Sequence, residues 1–385
     1  MPQFRPLECL LILPLALLCA CAGADHRLEG TNYARDLPPY VADVLETRAP
    51  APGLPRSDGS LVHRLVLIGD AGDDRENAPT LRALGRWGDA HADRTTVLFL
   101  GDNLYMSGLR DEDHAERARD ERILRSQIDA TRARRIFAPG NHDWGIPDIS
   151  AARLHNEQVF VDAEEGAEFL PKDGCPGPAR RILAEAGRLQ RGVALVVVDL
   201  QWWLLPPDER PDCDDLDEAA AVAALQSTLD ELSDHWVIVG AHHPLTTGGP
   251  HGGLSYGALA DFLLGMVKLY YGSLQNTYEP NYAHAIVQIS DAMAESRPLA
   301  FAGGHDHSLQ LLQGGPAAHY EIVSGAGSTK KVSTVTNIEP TLFAHAHPGF
   351  VVLDFHARAG GDEILFHVVE AGAAAPVLTT RLSAP

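Results

Sequence analysis

Side chains of metal-binding type follow short apolar runs at five places in the chain. One run, Thr95–Leu100, leads into Gly101 and Asp102, with Tyr105 three residues further on. The other four runs lead in the same way into Gly and then Asp, Asn or His: Leu65–Ile68 before Asp70, Arg135–Ala138 before Asn141, Trp236–Val239 before His242, and Leu299–Ala302 before His305 and His307. Short apolar runs of this kind predict buried strands. Because open α/β sheets hold their chemistry in loops at the carboxyl ends of strands, the five segments predict one composite metal site.

The donor atoms predict two metal ions of different character. Three donors are hard oxygens, those of Asp70, Asp102 and Tyr105. The others are the imidazoles of His242, His305 and His307 and the neutral carbonyl of Asn141. Carboxylate and phenolate oxygens favour a hard ion such as Fe³⁺, whereas imidazole and amide donors suit Zn²⁺, Mn²⁺ or Fe²⁺. Two ions about 3.5–4 Å apart, bridged by a carboxylate such as Asp102, form the usual clamp for hydrolytic phosphoryl transfer.

Five short motifs resemble those of a known family. They read GDAG at 69–72, GDNLY at 101–105, GNHD at 140–143, VGAH at 239–242 and GHDH at 304–307. In this order they resemble the five blocks of the calcineurin-like metallophosphoesterases, and more narrowly those of the purple acid phosphatases of the tartrate-resistant type. The narrower resemblance rests on Tyr105 and on Gly72, which stands where many members have a metal-binding histidine. The similarity covers roughly Leu65–Leu311.

The resemblance implies a fold and a ligand set. The fold is α/β (α+β), a four-layer αββα sandwich of two mixed β-sheets flanked by helices. A ferric site would consist of Asp70, Asp102, Tyr105 and His307, and a divalent site (Fe²⁺, Zn²⁺ or Mn²⁺) of Asp102, Asn141, His242 and His305. His142 would stand beside the ions as a proton donor or oxyanion partner. Of the neighbouring polar residues, we expect Asp143 to be solvated or to cap a loop, and His243 to lie at the surface or to pack.

The same resemblance implies a phosphatase that hydrolyses phosphate monoesters of small substrates. A metal-bound hydroxide would attack phosphorus in line, because cations lower the pKa of bound water. Asn141 would help to stabilise the equatorial oxygens, and His142 or His251 would protonate the leaving oxygen. Two alternatives stay open: a phosphodiesterase or nucleotide pyrophosphatase with the same metals, and an envelope lipoprotein that only binds metal or a partner. Substrate choice is expected to lie in segments that no motif covers, around Trp202–Asp217 and Ser255–His284.

Net charge and the first residues limit the partners and the compartment. A formal charge of −21 with no basic stripe argues against a nucleic-acid partner. Arg5 and the apolar stretch Leu10–Leu18 predict a secretion signal, too short to span a bilayer as a stable helix. The Leu-Cys-Ala-Cys that follows resembles a bacterial lipobox, which predicts a lipid anchor on Cys21 at the periplasmic side of the cell envelope. The alternative is plain cleavage after Ala22 or Ala24.

The remaining patterns predict one catalytic domain with additions. The expected parts are a signal and lipobox at 1–21, a Pro-rich tether or wrap at 22–60, a single catalytic domain at 61–370 with insertions near 147–217 and 255–284, and a tail at 371–385. Residues 329–346 are expected to form a polar loop. Two of the five cysteines leave with the signal and a third is lipidated, so Cys175 and Cys213 remain to form one disulfide in an oxidising compartment.

Overall fold

The structure, a computed structural model, describes residues 32–33, 37–47, 60–75, 77–145, 149–213, 216–252 and 275–383. The predicted signal and lipobox, with Cys21, lie outside these residues, as do residues 255–274 of the second expected insertion. Within the described part of the chain, the strands form two packed sheets and one short ribbon, and helices cover the outer faces of the sheets.

The first sheet is mixed and contains eight strands among the described residues. In spatial order they are β2 (Tyr40–Val41), β14 (Thr341–His345), β11 (Leu309–Gln313), β12 (Tyr320–Ser324), β10 (Ala300–Gly303), β9 (His235–Gly240), β8 (Gly192–Val197) and β7 (Ala179–Ala184). The strands β12, β10, β9 and β8 run parallel, and the outer pairs are antiparallel. The carboxyl ends of β9 and β10 therefore lie at the same edge of the sheet.

The second sheet is also mixed, with seven strands in the described residues. Its order is β17 (Leu378–Leu382), β16 (Gly361–Glu370), β15 (Gly349–Arg358), β3 (Leu61–Ile68), β4 (Thr95–Phe99), β5 (Arg134–Phe137) and β6 (Ala167–Phe169). The strands from β3 to β6 are parallel, so that β3, β4 and β5 end at one edge. The short ribbon pairs β1 (Asn32–Tyr33) with β13 (Val335–Thr336).

Alternating residues along the central strands build the layers. Leu65 and Leu67 of β3 lie in the core between the two sheets, where they join Leu195 of β8. Val66 and Ile68 of the same strand lie in the core under the helices. Successive side chains of a strand point to opposite faces, and a strand buried on both faces is apolar throughout. The predicted four-layer αββα sandwich of two mixed sheets is confirmed.

Helices cover the outer face of each sheet. In chain order they are α1 (Ala78–Asp89), α2 (Arg117–Ile128), α3 (Ala151–Asp162), α4 (Gln201–Leu204), α5 (Glu218–Glu231) and α6 (Pro280–Met293). Leu84 of α1 and Leu154 of α3 pack on the second sheet, and Leu225 of α5 and Ile289 of α6 pack on the first. Within the described residues no helix combines the length and the apolar character needed to cross a membrane.

Two segments differ from the sequence-based expectation. The loop expected at 329–346 contains β13 and β14, and the tail expected at 371–385 contains β17. Leu378 and Leu382 of β17 reach the core between the sheets, while the backbone of this strand pairs with β16. Two leucines four residues apart are by themselves a weak signal for a strand. The segment forms an edge strand because the long neighbouring strand β16 pairs with its backbone. The insertion expected near 147–217 supplies α3, β6, β7, β8 and α4.

The predicted disulfide between Cys175 and Cys213 is present. It joins the segment after β6 to the segment before α5, across a sequence separation of 38 residues. Closing a loop of this length removes conformations from the unfolded chain, which stabilises the fold by about 2–4 kcal/mol.

Candidate metal centre

The five predicted segments meet at one edge of the sandwich. The second sheet contributes Asp70, Asp102 and Asn141 after β3, β4 and β5, and the first contributes His242 and His305 after β9 and β10. The two sheets touch here, because the N–H of Gly69 donates to the C=O of Ser324 at 2.7 Å. A Cβ on Gly69 would lie 3.0 Å from the Cα of Gly304, so glycine allows the strand ends to approach.

Asp70, Tyr105 and His307 form one donor set. The Tyr105 hydroxyl lies 2.8 Å from Asp70 Oδ1 and 3.3 Å from His307 Nε2. His307 Nε2 lies 3.2 Å from the same carboxylate oxygen. The other oxygen of Asp70 accepts from the N–H of His305 at 2.9 Å, which turns Oδ1 toward the tyrosine and the histidine. Donor atoms about 3 Å apart fit a cation bound at the usual distance of about 2 Å from each.

Asn141, His242 and His305 form a second donor set. His242 Nε2 lies 2.9 Å from Asn141 Oδ1 and 3.2 Å from His305 Nδ1. Asp102 Oδ1 is 3.4 Å from His242 Nε2. Ligand atoms of Asp70, Asp102 and His242 all lie within 4.8 Å of one another, so Asp102 connects the two donor sets.

Backbone carbonyls orient both histidine rings of the second set. His242 Nδ1 lies 2.8 Å from the C=O of Leu100, and His305 Nε2 lies 3.1 Å from the C=O of Gln275. A carbonyl can only accept, so these two nitrogens carry the protons and donate them. The opposite nitrogen of each ring then presents its lone pair to the centre, which is the arrangement of metal-binding histidines.

Three residues of the centre adopt the left-handed backbone conformation that glycine usually occupies. The φ angles are 62° at Asp70, 53° at Asp102 and 64° at His305. Each such residue costs about 1–3 kcal/mol and persists where the surroundings determine it. This backbone conformation turns the three side chains back across the strand ends and into the centre.

Burial and charge prepare the centre for a cation. Burial opposes ionisation of Asp102, but the charges of His242 and His142 outweigh it and hold its pKa below the usual range. Burial raises the pKa of Tyr105 well above its usual value, and neighbouring carboxylates raise it further. Burial lowers the pKa of His305 far enough to keep the ring neutral. A phenol in this environment ionises only beside a cation.

Both predicted proton donors border the donor sets. The N–H of His142 donates to Asp102 Oδ1 at 2.9 Å, and its ring Nδ1 donates to the C=O of Met106 at 3.1 Å. Its Nε2 therefore faces the centre, 3.9 Å from Asp102 Oδ2. The ring of His251 lies on the other side, with its centroid 4.0 Å from that of His305.

The motifs missed three residues that shape the centre. Lys331 Nζ lies 3.1 Å from the middle of the Tyr105 ring, in a cation–π contact. Gln275 holds the ring of His305 through its carbonyl, and Asn276 Oδ1 lies 3.1 Å from His251 Nδ1. None of the three directly follows a strand of the described residues, so the pattern that found the other residues does not reach them. The sequence offered one signal for Lys331, which is that basic residues (31) are fewer than acidic residues (52).

Asp143 and His243 are buried beside the centre without belonging to either donor set. Asp143 accepts from the N–H groups of Leu104 at 2.9 Å and Gly140 at 2.8 Å, so it caps two loops and is not solvated. Burial and the charge of Asp102 raise the pKa of Asp143 to about 8. His243 packs in the interior, where burial lowers its pKa to about 3.

Gly72 leaves no room for the histidine that many similar proteins have there. A Cβ on Gly72 would lie 2.6 Å from Asp102 O, 2.6 Å from Leu104 N and 2.7 Å from Asn103 C. The C=O of Gly72 also accepts from the N–H of Tyr105 at 3.2 Å. The loop after β4 thus occupies the space that a side chain at position 72 would need, and the same loop carries Tyr105.

The two mixed sheets with a donor cluster at one edge define a metallophosphoesterase fold. The chain matches the family model of the calcineurin-like phosphoesterases over residues 63–309 and belongs to that family. The family resemblance found in the sequence is therefore confirmed. No curated protein sequence matches the chain.

Two similar solved structures share the fold. One is GAP50, the anchor in the inner membrane complex of Plasmodium, with a TM-score of 0.55 and 17% identity over 84% of this chain and 89% of that one. The other is the purple acid phosphatase PPD1 isolated from yellow lupin (Lupinus luteus) seeds, with a TM-score of 0.50 and 13% identity over 84% of this chain and 54% of that one. At these identities the similarity concerns the fold alone.

Proposed function

We propose that the chain is a dinuclear-metal phosphatase that hydrolyses phosphate monoesters. The supporting observation is that two donor sets, one rich in oxygen and one rich in nitrogen, meet at Asp102 with His142 beside them. Membership of the calcineurin-like phosphoesterases supports metal-dependent ester hydrolysis.

The donor chemistry fits two different ions. The first set would hold Fe³⁺ through Asp70, Tyr105 and His307, and the second would hold Fe²⁺, Zn²⁺ or Mn²⁺ through Asn141, His242 and His305. Asp102 would bridge them. When bound, the ions supply Lewis-acid activation of water and neutralise charge on the phosphoryl group.

The remaining residues bind the ester and move protons. The carbonyl of Met106 holds His142 Nδ1–H, so a proton on Nε2 is the one passed to the leaving oxygen. His251, whose Nδ1 contacts Asn276, is the second candidate for this transfer. Lys331 places a positive charge above Tyr105, where it would attract the phosphate of a substrate into a strongly acidic protein.

Two other functions make different predictions. A phosphodiesterase or nucleotide pyrophosphatase would use the same metals and prefer a diester, because the donor sets do not define the leaving group. The other alternative is an envelope lipoprotein that only binds metal or a partner, and the similar Plasmodium protein GAP50 is an anchor in the inner membrane complex. His142 and Lys331 beside the donor sets favour catalysis over this alternative, because a site that only bound metal would need neither a proton donor nor a cation for the substrate.

We further propose that the protein is exported and anchored by lipid on Cys21 at the periplasmic side of a bacterial envelope. The supporting observations are the lipobox-like sequence and the bond between Cys175 and Cys213. Structural disulfides persist in oxidising compartments, which the periplasm provides.

The deciding experiment compares an aryl phosphate monoester with the matching diester from acid to neutral pH, with metal content measured on the same sample. We expect monoester preference and at least two metal ions per chain, iron among them. Asp102→Ala should abolish hydrolysis and leave the far-UV circular dichroism unchanged. Asp74→Ala is the control, because Asp74 pairs with Arg122 outside the donor sets. Full activity of Asp102→Ala would contradict the proposal. Preference for the diester would favour the phosphodiesterase or pyrophosphatase, and metal binding without turnover would favour the non-catalytic alternative.

A further inference from the structure

A second cluster of potential metal ligands lies where the chain passes from one sheet to the other. β14 of the first sheet ends at His345, and β15 of the second begins at Gly349. His347 lies in the connection, and Glu370 ends β16, where it pairs with Gly349. The cluster therefore joins the two sheets through side chains that are 25 residues apart in sequence.

The three side chains converge closely. His345 Nε2 lies 3.3 Å from one oxygen of Glu370, and His347 Nδ1 lies 3.2 Å from the other. The two imidazole rings stack with centroids 4.5 Å apart and planes 10° apart. One ligand atom from each of the three residues lies within 4.8 Å of the other two.

These spacings fit a shared cation better than a simple ion pair. Charge-assisted hydrogen bonds between nitrogen and carboxylate are usually about 2.7–2.9 Å long. Ligands bound tetrahedrally to zinc at about 2.0–2.1 Å lie about 3.3 Å apart. Two stacked imidazoles beside one carboxylate would repel each other if both rings were positively charged. Two neutral rings can share a metal ion.

Burial of His345 favours the metal-binding form of the cluster. Its side chain is 4% exposed, and burial lowers its pKa. Its Nδ1 is buried without a hydrogen-bond partner in the described part of the chain, so the polar contact of the ring is made by Nε2. The side chains of His347 and Glu370 are both 28% exposed, which gives a cation access from solvent.

We infer that His345, His347 and Glu370 form a binding site for a zinc-like divalent cation, separate in its residues from the proposed catalytic centre. Two imidazoles and one carboxylate are a donor set that zinc accepts, with water completing the shell. Because one ligand belongs to the first sheet and another to the second, the cation would fasten the sheets together at their shortest connection. Its role is structural, since it binds the folded chain and not the unfolded one.

The test counts zinc per chain and isolates its effect on stability. Metal-free protein is titrated with Zn²⁺, and bound zinc is measured by mass spectrometry after buffer exchange. We expect about three zinc ions in the natural chain and about two in His347→Ala, because a dinuclear centre accounts for the other two. His347→Ala should hydrolyse the aryl monoester at the natural rate. His155→Ala is the matched control, since His155 is an exposed histidine 3.7 Å from the single carboxylate of Asp173.

A second measurement does not depend on the proposed catalytic function. In an Asp102→Ala background, added Zn²⁺ should still raise the melting temperature, and His347→Ala or Glu370→Gln should remove that rise. Glu370→Gln preserves the shape of the side chain, which guards against a folding defect. Equal zinc content in the natural chain and His347→Ala, or an unchanged melting-temperature rise in both variants, would overturn the inference.

Discussion

Replacing Gly72 by alanine tests whether the loop after β4 positions the centre. The added Cβ would lie 2.6 Å from Asp102 O and from Leu104 N, where ordinary contacts begin at 3.4 Å. Since both neighbours are backbone atoms, no flexible side chain can yield. The loop that bears Asp102 and Tyr105 must therefore move by about 0.8 Å, the difference between these distances.

This displacement sets the expected magnitudes for Gly72→Ala. Overpacking of a buried site costs about 1–3 kcal/mol of the free energy of unfolding. A misplacement near 1 Å in a catalytic site lowers the rate by on the order of 10²-fold. We therefore expect kcat/KM for an aryl monoester to fall by roughly 10²-fold and the bound metal to decrease, because Asp102 and Tyr105 both shift.

Steady-state kinetics, metal analysis and urea unfolding of the same samples measure these effects. Gly360→Ala is the control, because a Cβ on Gly360 meets nothing within 4 Å. It should match the natural chain in all three measurements. If Gly72→Ala also matched it, the close packing of this loop against Gly72 would not position the centre, and the reasoning would be refuted.

Three further substitutions test individual residues. Tyr105→Phe keeps the ring but removes the oxygen near Asp70, so it should abolish the ferric–phenolate absorption band of the iron-loaded protein; an unchanged spectrum would exclude Tyr105 as a ligand. His142→Asn should lower kcat by about 10²–10⁴-fold with little change in KM, and a natural kcat would show that another group protonates the leaving oxygen. Lys331→Met should raise KM and the inhibition constant of inorganic phosphate by about tenfold at constant kcat, because a charged hydrogen bond is lost; if neither constant changes, Lys331 does not contact the substrate.

The strands and the donor residues of the centre could be predicted because their signals are local. The strands that precede the donors are largely buried, so they appear as apolar runs, and each run leads into glycine and a polar donor. Two other strands gave weaker signals. β14 and β17 each have five residues, and they are strands because β11 and β16 offer hydrogen-bonding partners.

The contributions of Lys331 and Gln275 could not be predicted from the sequence. Gln275 acts through its backbone carbonyl, which every residue type has, and Lys331 acts through its position above the Tyr105 ring. The cluster of His345, His347 and Glu370 was missed for a related reason. Its carboxylate arrives from another sheet, and no spacing rule connects a strand end to a residue 25 positions later.

The sequence by itself determined the family, the order of the strands that bear donors, and the types of those donors, because apolar runs and ligand side chains are properties of short segments. Tertiary structure alone decided the geometry within the two donor sets. It turned Asp70, Asp102 and His305 inward through a left-handed backbone conformation. It also determined, through a backbone carbonyl, which ring nitrogen of His242 and of His305 carries the proton. It also filled the space beside Gly72 with a loop. These features depend on contacts between residues that can lie more than 200 positions apart in sequence. Only the packing of the two sheets brings such residues within hydrogen-bonding distance.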